Sequence, residues 1–207
     1  MSVSSIDNIV KRLRKLQEEL EQEIEQLLTE KQQQFSYSLE KRKVRFEQSM
    51  KALQRRYKIG AFRYLRDARI GHLLTIPIIY LAIIPFVLLD LTATIYQQIC
   101  FRVYGIPLVG RSSYLVIDRQ QLAYLNIFQK INCAYCGYGN GLIEYVREIV
   151  ARTEQYWCPI KHARRTPDPH RLVDGFIDYG DAEAFGERLK AIQKEIASLK
   201  NNSGSKF

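Results

Sequence analysis

Four side chains in the C-terminal half have the types and the spacing to hold a metal ion. Cys133 and Cys136 form a C-x-x-C pair, and Cys158 with His162 forms a C-x-x-x-H pair. Two such thiolate and imidazole pairs complete the ligand count of a closed tetrahedral site. The expected centre is Cys3His, with zinc as the metal and an iron–sulfur cluster as the alternative. The same dithiol supports a rival chemistry. A C-x-x-C placed just before a helix N-terminus has one thiolate stabilised by the helix dipole, as in dithiol oxidoreductases. No βαβ pattern surrounds it, however, and Tyr135 and Gly137 offer no acid or base.

The elements that carry these residues impose a condition on the metal site. Residues 132–141 (NCAYCGYGNG) read as a loop by their glycines. Residues 141–157 read as a helix through Leu142, Ile143, Val146, Ile149 and Val150, stopped by Pro159. An unbroken helix of that length is about 25 Å long and would hold the two pairs at opposite ends. Closure requires it to stop near Arg152, with residues 153–157 doubling back. Tyr135, Tyr138, Tyr145, Tyr156 and Trp157 crowd the cysteines, as the thin core of a small module requires. Glu144, Glu148 and Glu154 stand at helical spacing from Arg147 and Arg152, which marks a salt-paired face rather than a catalytic carboxylate pair. His170 reads as a loop residue. The chain has no Gly-rich phosphate loop, nucleophile elbow or H-E-x-x-H, so a non-enzymatic role is favoured.

Residues 73–101 form the apolar centre of the chain. From Leu73 to Leu89 there is no charge, and beyond Asp90 the apolar character resumes to Ile95, enough in all for a hydrocarbon core of roughly 30 Å. Pro77 and Pro85 lie inside this run, and a kink is expected at Pro85. The reading is one kinked transmembrane helix, or a re-entrant hairpin with both arms on one side. Of the +9 formal charge, the whole equals the excess in residues 41–72, which hold eleven basic and two acidic side chains. Lys51, Arg55, Arg56, Lys58, Arg63, Arg66 and Arg69 are therefore expected to bind anionic lipid headgroups. Nucleic acid is the weaker alternative partner for so basic a segment. The positive-inside rule puts the N-terminus in the cytoplasm.

Five segments result. Residues 1–40 carry Ile6, Ile9, Leu13, Leu16, Leu20, Ile24 and Leu27 at coiled-coil spacing, so residues 6–28 are expected to pair with a second copy or a partner helix. Residues 41–72 read as a basic juxtamembrane amphipathic helix. The membrane element of residues 73–101 follows, then a Cys/His-containing helical module over 102–200 and a disordered tail at 201–207. Within the module, residues 114–117 read as β-prone, 119–130 as helical and 182–199 as a final amphipathic helix.

NCAYCGYGNGLIEYVREIVARTEQYWCPIKHAR, followed by DYGDAEAF, resembles a family of bacterial membrane-associated proteins over at most residues 105–190. The resemblance implies membrane association and supplies no activity. The expectation is a mainly α-helical, membrane-anchored scaffold or adaptor with a metal-stapled C-terminal module, the alternative being a membrane-linked redox protein. A simple span would carry the cysteines outside, where thiols oxidise. A hairpin keeps them in the reducing cytoplasm and is preferred.

Overall fold

The computed structural model describes residues 3–40, 43–164 and 166–203. These are mainly helical and divide into two compact units. The first takes in the described part of residues 1–65 together with Asp118–Lys130, and the second Arg66–Ile117 with the residues from 131 onward. Residues 118–130 belong with the N-terminal elements, and the apolar helix belongs with the C-terminal module.

In the first unit, helix α1 (Val3–Gln34) is rich in Glu, Gln, Lys and Leu and free of Gly and Pro, a composition of strong helix formers. The chain turns after it at Ser36, whose φ of 46° lies in the left-handed region. A two-stranded antiparallel hairpin follows, β1 (Tyr37–Glu40) with β2 (Lys43–Phe46), in the register Tyr37↔Phe46. The Tyr37 and Phe46 rings lie 5.5 Å apart across it. Two short helices complete the basic segment, α2 (Gln48–Arg56) and α3 (Ala61–Arg66). The single amphipathic helix expected over 41–72 is thus replaced by a hairpin and two short helices. Tyr37 and Phe46, partly buried against each other across the hairpin, favour a half-buried pleat over a helix face there.

In the second unit the apolar stretch is two stacked helices, α4 (Ile70–Leu81) and α5 (Ile83–Tyr96). They meet at Ala82, one residue past the carbonyl that Pro85 leaves without a donor. There the Ala82 N–H donates to the Ile79 carbonyl at 3.3 Å instead of continuing the α-helical pattern. Pro77 lies inside α4 without breaking it. A π-helical turn at Gln97–Phe101 leads into α6 (Arg102–Tyr104), which Gly105 ends at a φ of 73°. A short helix α7 (Arg111–Tyr114) precedes an irregular stretch where residues 114–117 were expected to be β-prone.

The long helix α8 (Ile127–Trp157) runs through the sequence read as a glycine loop. Its start is fixed by a reciprocal cap. The Asn126 side chain accepts from the Gln129 N–H and the Gln129 side chain from the Asn126 N–H, both at 3.0 Å. Its glycines serve packing. A Cβ on Gly141 would stand 2.5 Å from the Tyr114 carbonyl oxygen, and one on Gly137 would stand 3.3 Å from that of Val116. The chain over 114–116 therefore lies directly on the helix. Gly139 in turn admits the Phe86 ring of α5.

From residue 131 onward α8 runs parallel to the apolar helix. The Tyr80 and Tyr135 rings are 5.4 Å apart, Tyr138 hydroxyl donates to Asp90 at 3.0 Å, Thr94 meets Tyr145, and the Tyr96 hydroxyl meets Thr153 at 3.0 Å. At the far end Tyr104 stacks on Tyr156. Between them sits a core of Ala93, Phe101, Ile106, Val109, Leu142, Tyr145 and Ile149. The final helix α9 (Ala182–Ser203) closes it with Ile196. Asp181 caps α9 by accepting from the Ala184 N–H at 2.9 Å. The expected disordered tail begins as the end of this helix, and residues 204–207 lie outside the described residues.

Candidate functional site

The four expected metal ligands are not brought together. Cys133 and Cys136 lie one turn apart on α8, Cys158 is the residue after its end, and His162 follows in the irregular chain beyond Pro159. Residues 136 and 158 are thus separated by an uninterrupted helix, about 33 Å of axial rise. The doubling back near Arg152 that closure required does not occur. Among the described residues no three His, Cys, Asp or Glu side chains converge on a point where a metal could sit. The dithiol lies about two turns inside α8, away from the N–H groups of the helix N-terminus. All four cysteines are free thiols.

The polar groups that do converge form three clusters. On the apolar helix, Asp90 accepts from Arg111 Nε at 3.1 Å, Arg111 Nη2 at 2.5 Å, and the Tyr138 hydroxyl. The hydrogen bond to Asp90 raises the Arg111 pKa further, and burial raises that of Tyr138. A lone carboxylate on an apolar helix is thereby fully partnered. Two turns further on, buried Gln97 both donates to and accepts from the Val109 backbone and donates to the Tyr145 hydroxyl.

The third cluster lines a cavity of about 360 Å³ walled by Tyr114, Glu144, Arg147, Glu148, Asp168, Pro169, His170 and Arg171. Buried Glu148 accepts from Arg152 Nε at 2.8 Å and from Arg171 Nη2 at 2.6 Å. Burial pushes its carboxyl up, but the hydrogen bonds from Arg171 and Arg152 outweigh that and leave it below the usual range. Arg152 also donates to the Pro107 carbonyl at 2.8 Å, tying α8 to the chain after the apolar helix. His170 Nδ1 accepts from the Leu172 N–H at 3.3 Å, so Nε2 carries the proton and donates to Glu154 at 2.9 Å. Arg147 pairs with Asp168 at 3.0 Å. A general base needs a free lone pair facing substrate. These ionisable groups instead face one another as a structural ion network. The i,i+4 pair of Glu148 and Arg152 was legible in the sequence; the part played by Arg171 and His170 was not.

The expected lipid-binding cations are spread over several elements. Lys51, Arg55 and Arg56 lie on α2, Lys58 in the link after it, Arg63 and Arg66 on α3, and Arg69 immediately before α4. Lys51 is half-buried and the other six are exposed. A long uncovered surface of the second unit is apolar. Leu74, Ile78, Leu81, Ile84, Leu88, Leu91, Ile95 and Ile99 recur at intervals of three or four residues along the apolar helix and are all exposed. The opposite face carries Phe86, Ala93, Gln97 and Phe101 and packs against α8. Over Ile70–Tyr104, 35 residues, the helix is long and apolar enough to cross a membrane. No protein-family model matches the chain, and no curated protein or solved structure matches it.

Proposed function

We propose that this protein is a non-enzymatic, membrane-anchored scaffold or adaptor that lies in one leaflet and presents its C-terminal helical module on the side from which it inserts. The observation that carries the reading is the two-faced apolar helix, with a continuous exposed aliphatic stripe on one side and a packed, partly polar face on the other. Aliphatic side chains exposed over so great a length mark a surface that is covered in use. Hydrocarbon is the cover that fits a charge-free stretch of this size flanked by Arg66 and Arg69.

One leaflet is preferred over a full span for a physical reason. Because α8 runs parallel to the apolar helix, the chain after Tyr104 must travel back along it, and over 109–117 it does so as irregular backbone on either side of the single turn α7. Irregular backbone facing lipid has no partners for its N–H and C=O groups. Glu148, Arg152 and Thr153 also flank the half of the helix that ends at Tyr104, and they favour a watery boundary. In the outer half, Leu73 to Leu89, the polar contacts are with the uncharged side chains of Asn132 and Tyr135.

Flotation of the purified chain with lipid vesicles tests the reading. Co-flotation that survives high salt, and that is lost in the double variant Leu88→Glu/Leu91→Glu, supports it. Wild-type protein left at the bottom of the gradient with both neutral and anionic vesicles would reject it.

A further inference from the structure

Five exposed aliphatic residues of α1 are spaced symmetrically about one of their number, and a sixth, Leu28, lies at the edge of their stripe. Leu13, Leu16, Leu20, Ile24 and Leu27 are between 48% and 60% exposed. Counted from Leu20, they fall at −7, −4, 0, +4 and +7. At 3.6 residues per turn all five lie within about 40° of Leu20 around the helix axis. A parallel heptad seam would ask for an apolar residue at position 23, where the chain has an exposed Glu23. A stripe with mirror symmetry is instead complementary to itself when a second copy is laid on it head to tail. Leu13 then meets Leu27 of the second copy, Leu16 meets its Ile24, and Leu20 meets its own counterpart on a two-fold axis.

Charge along α1 selects the same orientation. Residues 11–15 hold four basic side chains, whereas residues 18–30 hold six glutamates. A parallel, in-register pair sets basic against basic and acidic against acidic, while the head-to-tail pair sets the basic block of each copy toward the acidic block of the other. Arg12 and Glu30 share one edge of the stripe, both about 80° from Leu20 on a 3.6-residue helix. Lying eight residues before Leu20 and ten after it, they come side by side twice in the antiparallel dimer. The helix dipoles also oppose. The glutamate-rich flanks speak against an anionic lipid surface as the occupant.

We infer that α1 is an antiparallel, two-fold docking surface for a second copy of this chain. The inference is independent of the membrane reading and survives its failure. The test uses the full-length chain in detergent, with light scattering for mass and mild oxidation of introduced cysteines, the joined peptides being identified by mass spectrometry against wild type as background. The expected result is a dimer in which a mixture of Leu13→Cys and Leu27→Cys chains forms a disulfide between positions 13 and 27, while Leu13→Cys alone gives none between two copies of position 13. Arg12→Glu should weaken the dimer about fivefold, and Arg12→Glu/Glu30→Arg should restore it. Circular dichroism of these exposed-site variants separates loss of docking from loss of fold. A monomeric wild type, a disulfide between two copies of position 13, or a double variant no better than Arg12→Glu would each overturn the inference.

Discussion

Replacing Gly141 by alanine tests whether α8 carries its glycines for close approach rather than for flexibility. A methyl group there would stand 2.5 Å from the Tyr114 carbonyl oxygen and 3.0 Å from Leu115 Cα. Both are backbone atoms and cannot swing aside as the end of a side chain would. Overpacking of this kind costs about 1–3 kcal/mol, against a helix-propensity gain of about 1 kcal/mol for Gly→Ala. Gly186 in α9 provides the control, because nothing lies within 4 Å of its missing Cβ. Gly186→Ala should collect the propensity gain alone and stabilise by about 0.5–1 kcal/mol. The propensity contribution cancels between the two variants, so the difference isolates the contact and should be about 1–3 kcal/mol. At roughly 2–4 °C per kcal/mol for a chain of this size, thermal unfolding in detergent resolves it. Equal stabilisation by both substitutions would refute the packing of the 114–116 chain on α8.

Asp90→Ala should destabilise by about 1–3 kcal/mol, because Arg111 and Tyr138 each lose their acceptor, whereas Asp90→Asn, which keeps an acceptor for Tyr138, should cost less; equal melting temperatures for wild type and Asp90→Ala would contradict the cluster. Glu148 has a folded pKa below its reference of 4.5. Its contribution to stability is therefore complete above that value and is lost as pH falls through the lower folded pKa. Melting temperature should decline below about pH 4.5, and Glu148→Gln should remove part of that slope while leaving the neutral and alkaline side unchanged. Chelator treatment, alone or combined with Cys136→Ser, should leave the unfolding midpoint where it is. A drop of several degrees on chelation, absent in the variant, would show that the cysteines converge after all.

The helices at both ends of the chain were legible because nothing competes with their periodicity. The apolar run announced itself by composition, and Pro85 announced the break beside Ala82. The glycine-rich cysteine segment was misread for an identifiable reason. Gly137, Gly139 and Gly141 look like loop punctuation unless one knows that the 114–116 chain and Phe86 lie where their side chains would be, which is a tertiary fact. One local signal pointed the other way, since Asn126 and Gln129 have the types of the N-cap and the third helical residue of a capping box that opens a helix at Ile127. With the helix continuous, the C-x-x-C and C-x-x-x-H pairs lie apart along it rather than facing one another. The hairpin at 37–46 was hidden by basic residues that suit a helix surface equally well. The ion network around Glu148 depends on Arg171, which is distant in sequence and carries no motif.

The central claim, anchoring in one leaflet with the module on the side of insertion, is tested most directly by labelling with a membrane-impermeant maleimide in sealed, oriented vesicles. Native Cys158, which is exposed, reports on the C-terminal module, and Gln17→Cys on exposed α1 reports on the N-terminal helix, with labelled peptides distinguished by mass spectrometry. The account expects both positions to react from the same side of the bilayer. Labelling of Cys158 from one side and of position 17 from the other would establish a full span and contradict it.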